Sequence, residues 1–229
     1  MEETKHMKTP FLSRILLALA CVGLLALPAK AAEMTISGAA SLTNAFTELK
    51  GMFEKKHPGL TAHVNFAASN PLLKQIQEGA PVDVFASADQ ATMDKAVASK
   101  VVDPATRKDF ALNDLVLIVP AGRYTREALT NAKLWDVLQP QVIQGASVRQ
   151  VLDYVARGEV DAGFVYGTDA KQQAGKVDVV LVVPGHKPVL YPIAVATTGK
   201  NPKMGQAFLD FVLSPEGQAV LAKYGFSKP

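Results

Sequence analysis

The chain has 229 residues, of which 48% are hydrophobic and 20% are charged, and its formal net charge is +3. This composition is that of a globular protein and excludes a disordered or low-complexity chain. The nearly balanced charge argues against nucleic acid as a partner, and the single cysteine argues against a disulfide scaffold.

The amino-terminal segment is typical of a cleavable export signal. Lys8 and Arg14 precede an apolar run over residues 15–27, and Ala29-Lys30-Ala31 ends in an Ala-x-Ala pattern. The run is too short to span a bilayer as a helix. We therefore predict a signal peptide over residues 1–31 and a periplasmic mature protein. Cleavage there removes four basic and two acidic residues, which lowers the net charge from +3 to +1.

Strand-like runs alternate with helical patterns along the rest of the chain. This alternation predicts an α/β fold with largely parallel sheets. Near the carboxyl terminus two consecutive helices are expected, the second of which begins at Ser214-Pro215. The predicted strands are residues 34–38, 62–66, 82–86, 115–119, 162–166, 177–183 and 191–195.

Small, uncharged residues precede four of the predicted helices. Ser41 and Ser69 follow the first two strands, Pro120-Ala121-Gly122 offers only backbone N–H groups, and Ser147 has Gln150 at capping-box spacing. The first N–H groups of a helix have no partner within it and carry about half a positive charge, so converging helix starts bind anions. For any one of these turns, helix capping by the serine is the simpler interpretation.

Five longer motifs extend this pattern over the chain from Met34 to Lys228. They are AASLTNA over 39–45, FAAS over 66–69, GAPVDVFASAD over 79–89, GFVYGTDA over 163–170 and YGF over 224–226. Together they resemble the periplasmic molybdate-binding protein of bacterial ABC importers. The resemblance implies a two-lobed periplasmic binding protein of the type II, Venus-flytrap class, which closes over one tetrahedral oxyanion, molybdate or tungstate. It also implies an inner-membrane ABC permease as partner, a monomeric chain, no cofactor and no metal beyond the molybdate oxyanion.

The resemblance assigns five ligand contacts. Ser41 and Ser69 match the two serines of the family, Ala121 and Val148 match two backbone donors, and Tyr166 matches a tyrosine. From the residues alone, hydroxyl and amide donors without a carboxylate acceptor favour a fully deprotonated oxyanion, because a protonated one brings an O–H group with no acceptor. This chemistry leaves another oxyanion, such as sulfate or thiosulfate, as an alternative ligand.

The sequence departs from the family pattern at its centre. Related proteins carry a further helix and strand between the strand at 115–119 and the turn to Ala121, whereas here Val119-Pro120 leads directly into Ala121-Gly122. We therefore expect an internal deletion between Pro120 and Ala121. Because a lost strand leaves backbone groups unpaired, a binding-impaired deletion variant is a further alternative. The expected domains are lobe 1 over 32–112 plus 193–229 and a shortened lobe 2 over 113–192.

No enzyme is predicted, and no catalytic residue is assigned. The four histidines have no metal-ligand spacing, and neither Gly-x-Ser-x-Gly nor Gly-Lys-Ser/Thr occurs. A hydrolase that used Ser41 would lack a base that the sequence identifies. Arg123 and Arg149 lie just inside two helix starts, and both are expected to be solvated.

Overall fold

The computed structural model describes residues 32–120, 144–184 and 186–229. The chain from Ala32 to Pro229 groups into one compact unit. The strands are β1 (Ala32–Ala39), β2 (Leu60–Ala67), β3 (Val84–Ala86), β4 (Lys108–Asn113), β5 (Leu115–Pro120), β6 (Gly163–Tyr166), β7 (Val177–Val182) and β8 (Val189–Val195). The helices are α1 (Thr43–Lys56), α2 (Ser69–Gln77), α3 (Gln90–Ala98), α4 (Val148–Ala156), α5 (Gly167–Gln172), α6 (Pro202–Leu213) and α7 (Pro215–Lys223), with 3-10 turns at Ala40–Leu42 and Pro104–Thr106.

Five strands form the larger sheet, in the order β2-β1-β3-β8-β4. Its central strands are apolar on both faces, so both faces pack against helices. On one side α1 and α6 contribute aromatic residues such as Phe46, Phe53 and Phe208 to the core, and α7 contributes Val220 and Leu221. On the other side α2 and α3 contribute Leu72 and Met93. The loops at the end of this sheet are therefore anchored in a core on each side.

The smaller sheet has three strands, with β5 between β6 and β7. Helix α4 covers one face, where Leu152 and Val155 pack against Val116 and Val165. Gly163 lies so close to α4 that an added Cβ would come within 2.6 Å of Val151. A larger side chain at position 163 would therefore displace the helix.

The α/β fold class is confirmed, but the expectation of largely parallel sheets is wrong. Only β1 with β2 and β1 with β3 pair in parallel among the described strands, whereas β8 runs antiparallel to β3 and β4, and β5 runs antiparallel to β6 and β7. The physical reason is that β8 returns from the smaller sheet and inserts into the larger one against the direction of its neighbours. All seven predicted strands are present, and β4 was missed.

Two connections join the sheets. One lies at Asp114, between β4 and β5, and the other lies between β7 and β8. The lobe boundaries near 112 and 193 stay predictions. The predicted signal peptide over 1–31 lies outside the described residues, as does Ala121 on one side of the predicted deletion. In the part of the chain that the structure describes, no helix has the length and apolar character needed to cross a membrane.

Candidate functional site

A cavity of about 170 Å³ contains four of the five predicted ligand contacts. Ser41, Ser69, Val148 and Tyr166 all line it, although they come from four separate parts of the chain. The fifth predicted contact, Ala121, lies outside the described residues. This volume is several times the space that a single water molecule needs, so the cavity can take a small ligand.

Helix starts surround this cavity. Ala40–Leu42 forms the 3-10 turn that precedes α1, α2 begins at Ser69, and α4 begins at Val148. A further helix start, which was not predicted, contributes Ala88 and Asp89 in front of α3. Because the first N–H groups of each helix have no partner within it, their convergence supplies neutral donors and positive dipole ends.

The three serines of the cavity differ in whether their side chains cap a helix. Ser147 is a true cap, since its side chain accepts a hydrogen bond from the Gln150 N–H at 3.3 Å. Neither Ser41 nor Ser69 caps its helix. Ser69 Oγ instead accepts the Ala88 N–H at 3.0 Å. The simpler interpretation of these serines as caps is therefore wrong for Ser41 and Ser69 and right for Ser147.

Ser41 contacts a buried polar group of the larger sheet. Its Oγ lies 2.9 Å from the hydroxyl of Tyr191, which is 0% exposed. Asn113 Nδ2 lies 3.1 Å from the same hydroxyl. Burial raises the pKa of Tyr191 well above its ordinary value. The tyrosine therefore stays neutral and able to donate over the whole physiological range.

Tyr166 lies at the end of β6 with its ring edge-on to Tyr191, at a centroid distance of 5.8 Å. Burial, together with the negative charges of Asp89 and Asp169, raises the pKa of Tyr166 to about 12. A hydroxyl with this pKa is a neutral donor at the cavity wall.

Arg149 is only partly exposed and is bonded to protein groups, which corrects the expectation that it is solvated. Its Nε forms an ion pair with Asp169, a residue that is 0% exposed. Its Nη1 donates to Asn44 Oδ1 at 2.9 Å, and its Nη2 donates to the Ser41 carbonyl at 3.4 Å. One guanidinium thus joins α4 and α5 of the smaller-sheet side to the start of α1. Arg123, which is also expected to be solvated, lies outside the described residues.

Asp169 depends on this arginine. Burial raises its pKa, and the charge and hydrogen bond of Arg149 oppose that effect. Its Oδ2 has no hydrogen-bond partner among the described residues. The ion pair with Arg149 and a backbone hydrogen bond from Tyr166 therefore stabilise the charged carboxylate in the interior.

A carboxylate does line the cavity, contrary to the premise drawn from the sequence. Asp89 caps α3, with Oδ1 accepting the Thr92 N–H at 2.7 Å and Oδ2 accepting the Thr92 hydroxyl at 2.9 Å. Each oxygen thus has a partner within α3. The capping role turns the carboxylate toward the helix, but its negative charge stays at the cavity wall.

Four residues of this site were missed from the sequence: Asn113, Tyr191, Arg149 and Asp89. Asp89 belongs to the GAPVDVFASAD motif, and an aspartate directly before a helix is a capping signal. Asn113 and Tyr191 are 78 residues apart, so no local spacing connects them. No group of three or more His, Cys, Asp or Glu that could hold a metal ion occurs in the described ranges.

A family model described as bacterial extracellular solute-binding protein matches residues 34–123 and 119–227. The chain belongs to this family. Molybdate-binding protein ModA of Escherichia coli is 36% identical to it, over 85% of this chain and 89% of that protein. The protein of the same name from Haemophilus influenzae is 34% identical, over 94% of this chain and 98% of that protein.

A solved structure supports the two-lobed solute-binding fold of this family member. It is the substrate binding domain of a putative molybdenum ABC transporter from Clostridium difficile, which has a TM-score of 0.64 and 32% sequence identity. The similarity covers 86% of this chain and 99% of that chain. The fold expected from the resemblance is thereby confirmed.

The comparisons also agree with an internal deletion. The two matches of the family model overlap at residues 119–123, where the sequence joins Val-Pro to Ala-Gly. The alignment with the Escherichia coli protein has 231 positions but takes in only 85% of the 229 residues, about 195. The alignment thus spans about 36 positions more than the residues of this chain that it takes in, and the deletion between Pro120 and Ala121 stays a prediction.

Proposed function

We propose that this chain is an exported solute-binding protein that captures molybdate or tungstate and delivers it to an inner-membrane ABC permease. The convergence of Ser41, Ser69, Val148 and Tyr166 on one cavity carries the proposal. The relatives whose names include molybdate support the choice of ligand among tetrahedral oxyanions.

The donors of the cavity fit a doubly charged oxyanion. Hydroxyl groups and helix N–H groups satisfy its oxygens, and the dipoles of several helix starts oppose its charge. No free cation lines the cavity among the described residues. Arg149 is committed to the buried Asp169, so this pair adds little net charge. The Asp89 carboxylate is unfavourable to any anion, and its cost is limited because Thr92 stabilises it.

Capture follows from closure of the two sides of the cavity. Ser41 and Ser69 belong to helices that pack on the larger sheet, whereas Val148 and Tyr166 belong to elements of the smaller sheet. An anion that contacts both sides binds the closed arrangement more tightly and shifts the population toward it. The contacts of Arg149 with Asn44 and Ser41 favour the same arrangement.

Calorimetric titration of the mature protein with sodium molybdate tests this function. We expect saturable binding of one molybdate per chain, displaced by tungstate. Sulfate and thiosulfate are the competitors that distinguish the alternative oxyanions, and stronger binding of either would replace molybdate as the ligand. A matched control is Ser99→Ala, which removes an exposed serine hydroxyl remote from the cavity.

Thermal unfolding provides a second measurement. A ligand at about 1,000 times its Kd stabilises the native state by about 4 kcal/mol. For a domain of this size that corresponds to a rise in Tm of roughly 8–16 °C. An unchanged Tm in excess molybdate, tungstate, sulfate and thiosulfate would favour the binding-impaired deletion variant.

A further inference from the structure

A chain of three buried polar side chains leads from the larger sheet to the cavity. Tyr191 of β8 is enclosed by aromatic rings, among them Phe110 and Phe226, both edge-on to it. Its hydroxyl contacts Ser41 Oγ at 2.9 Å and Asn113 Nδ2 at 3.1 Å. The direction of the hydrogen bonds along this chain decides which way the Ser41 proton points.

The orientation of the Asn113 amide is fixed by two backbone groups. Its Oδ1 lies 3.0 Å from the Asp114 N–H and 3.3 Å from the Thr168 N–H, and backbone N–H groups can only donate. The NH2 group therefore occupies the other position. From there it donates to Thr168 Oγ1 at 2.8 Å and to the Tyr191 hydroxyl.

This orientation determines the next two hydrogen bonds. An amide NH2 group cannot accept, so the proton of the Tyr191 hydroxyl has only Ser41 Oγ as its acceptor among the described residues. Ser41 Oγ accepts that proton and directs its own proton elsewhere. Since Ser41 lines the cavity and has no other side-chain partner in the described ranges, its O–H group is free to donate to a ligand.

We propose that Asn113 and Tyr191 are positioning residues that fix the Ser41 hydroxyl as a donor to the bound oxyanion and thereby select ligands without an acidic proton. The proposal deepens the oxyanion-binding function and depends on it. The same logic holds at Ser69, whose Oγ accepts the Ala88 N–H and leaves its proton for the ligand. Both serines thus accept from the protein and donate to the cavity.

The consequence is selectivity by hydrogen-bond direction. Molybdate at neutral pH has four oxygens that only accept, and donors directed at them are all satisfied. Hydrogen phosphate brings one O–H group, which at Ser41 would meet another donor. The Asp89 carboxylate at the cavity wall is already bonded through both oxygens to Thr92. Leaving a buried donor unsatisfied is costly, so the fixed direction at Ser41 disfavours the protonated anion.

Two isosteric variants test the direction, with molybdate and phosphate as calorimetric probes. Tyr191→Phe removes the donor to Ser41 and frees its lone pair to accept. We expect the affinity for molybdate to fall roughly 3- to 10-fold, and the preference for molybdate over phosphate to fall by at least 3-fold. Tyr224→Phe is the matched control, because its hydroxyl bonds Glu48 outside the cavity, and both affinities should stay unchanged.

Asn113→Asp reverses the donor and acceptor roles in the hydrogen bonds that lead from position 113 through Tyr191 to Ser41. The carboxylate accepts the Tyr191 proton, the Tyr191 oxygen accepts the Ser41 proton, and Ser41 then presents a lone pair to the anion. We expect molybdate affinity to fall by roughly 100-fold. The new negative charge also weakens molybdate binding by itself. Asn113→Asp made in the Tyr191→Phe background measures this effect of charge, because the hydrogen bond to Ser41 is absent there. We expect the loss of affinity from charge alone to be roughly 10-fold or less.

Equal losses from Asn113→Asp in the two backgrounds, or an unchanged preference over phosphate in Tyr191→Phe, would overturn the proposal. Neutron diffraction of the ligand-free protein in heavy water tests it without any ligand. We expect the Tyr191 deuteron to lie toward Ser41 Oγ, and a Ser41 deuteron directed at Tyr191 would overturn the proposal. If the unmodified protein binds no molybdate, the proposed function fails. The deuteron positions still show whether Tyr191 donates to Ser41 or accepts from it.

Discussion

The two walls of the cavity differ in what holds their donors in place. On the larger-sheet wall, Ser41 and Ser69 are fixed by hydrogen bonds from Tyr191 and from the Ala88 backbone, inside a core that packs on both faces of the sheet. Among the described residues, α4 and the short α5 pack on the smaller sheet, and this wall is tied to the first wall through Arg149. The first wall is therefore preorganised, and the second depends on contacts across the cavity.

The largest loss of stability is expected at Arg149, which links the two walls. Arg149→Ala leaves the buried Asp169 carboxylate without its ion-pair partner, which typically costs about 3–5 kcal/mol of unfolding free energy. Loss of the arginine raises the pKa of Asp169 further, so the variant loses stability as pH rises through that pKa and regains it as pH falls. Denaturant unfolding at about pH 7 and about pH 5 measures this difference.

Asn44→Ala is the matched control for this effect. It removes the bond across the cavity while Asp169 keeps Arg149. We expect stability within about 1 kcal/mol of the unmodified protein and a molybdate affinity lowered by roughly 2- to 10-fold. Equal stability losses in the two variants would contradict the role of the ion pair.

The next effect distinguishes ligand donors from helix caps. Ser69→Ala removes a hydroxyl that we propose donates to the anion, and we expect molybdate affinity to fall roughly 10- to 150-fold, as for hydrogen bonds to charged groups. Ser147→Ala removes a cap that costs about 1 kcal/mol of stability. Its affinity loss should be much smaller. Calorimetry and thermal unfolding of both variants make the comparison, and similar affinity losses would mean that Ser69 acts structurally.

At Asp89 we expect a smaller change in molybdate affinity, and this change is an increase. Asp89→Asn keeps a good helix cap and removes the negative charge at the cavity wall. We expect molybdate to bind roughly 2- to 10-fold more tightly, with the gain reduced at high salt. Weaker binding in this variant would show that the carboxylate assists the ligand, for example by orienting a donor.

The smallest change in molybdate affinity is expected when the pH is raised. Tyr166, with a pKa of about 12, stays a neutral donor well above the ordinary tyrosine value of about 10. Molybdate affinity should therefore be constant from neutral pH to about pH 10. Its raised folded-state pKa also means that Tyr166 lowers stability only as pH rises above about 10. A decline in affinity between about pH 9 and 10 would contradict the burial of this hydroxyl.

The sequence predicted much of the first wall because its signals are local. Ser41 and Ser69 each follow a strand and precede a helix, so their place at the ends of neighbouring strands could be inferred. Whether such a serine caps its helix depends on partners far along the chain. Ser41 meets Tyr191 across 150 positions, and only the folded arrangement shows this contact.

The second wall was less predictable for the same reason. Arg149 was expected in solvent because its helical position alone does not reveal the buried Asp169 or Asn44. The direction of the strands could not be predicted either, because an apolar run such as β5 has the same local pattern in parallel and antiparallel sheets. β4 was missed because its sequence, KDFALN, begins with two charged residues and has a register shift against β8.

Titration of the mature, unmodified protein with molybdate tests the central claim most directly. If the two walls form one oxyanion site, calorimetry will show one saturable molybdate per chain, with tungstate competing and phosphate failing to compete. Absence of binding heat, together with a Tm that excess molybdate leaves unchanged, would contradict the account.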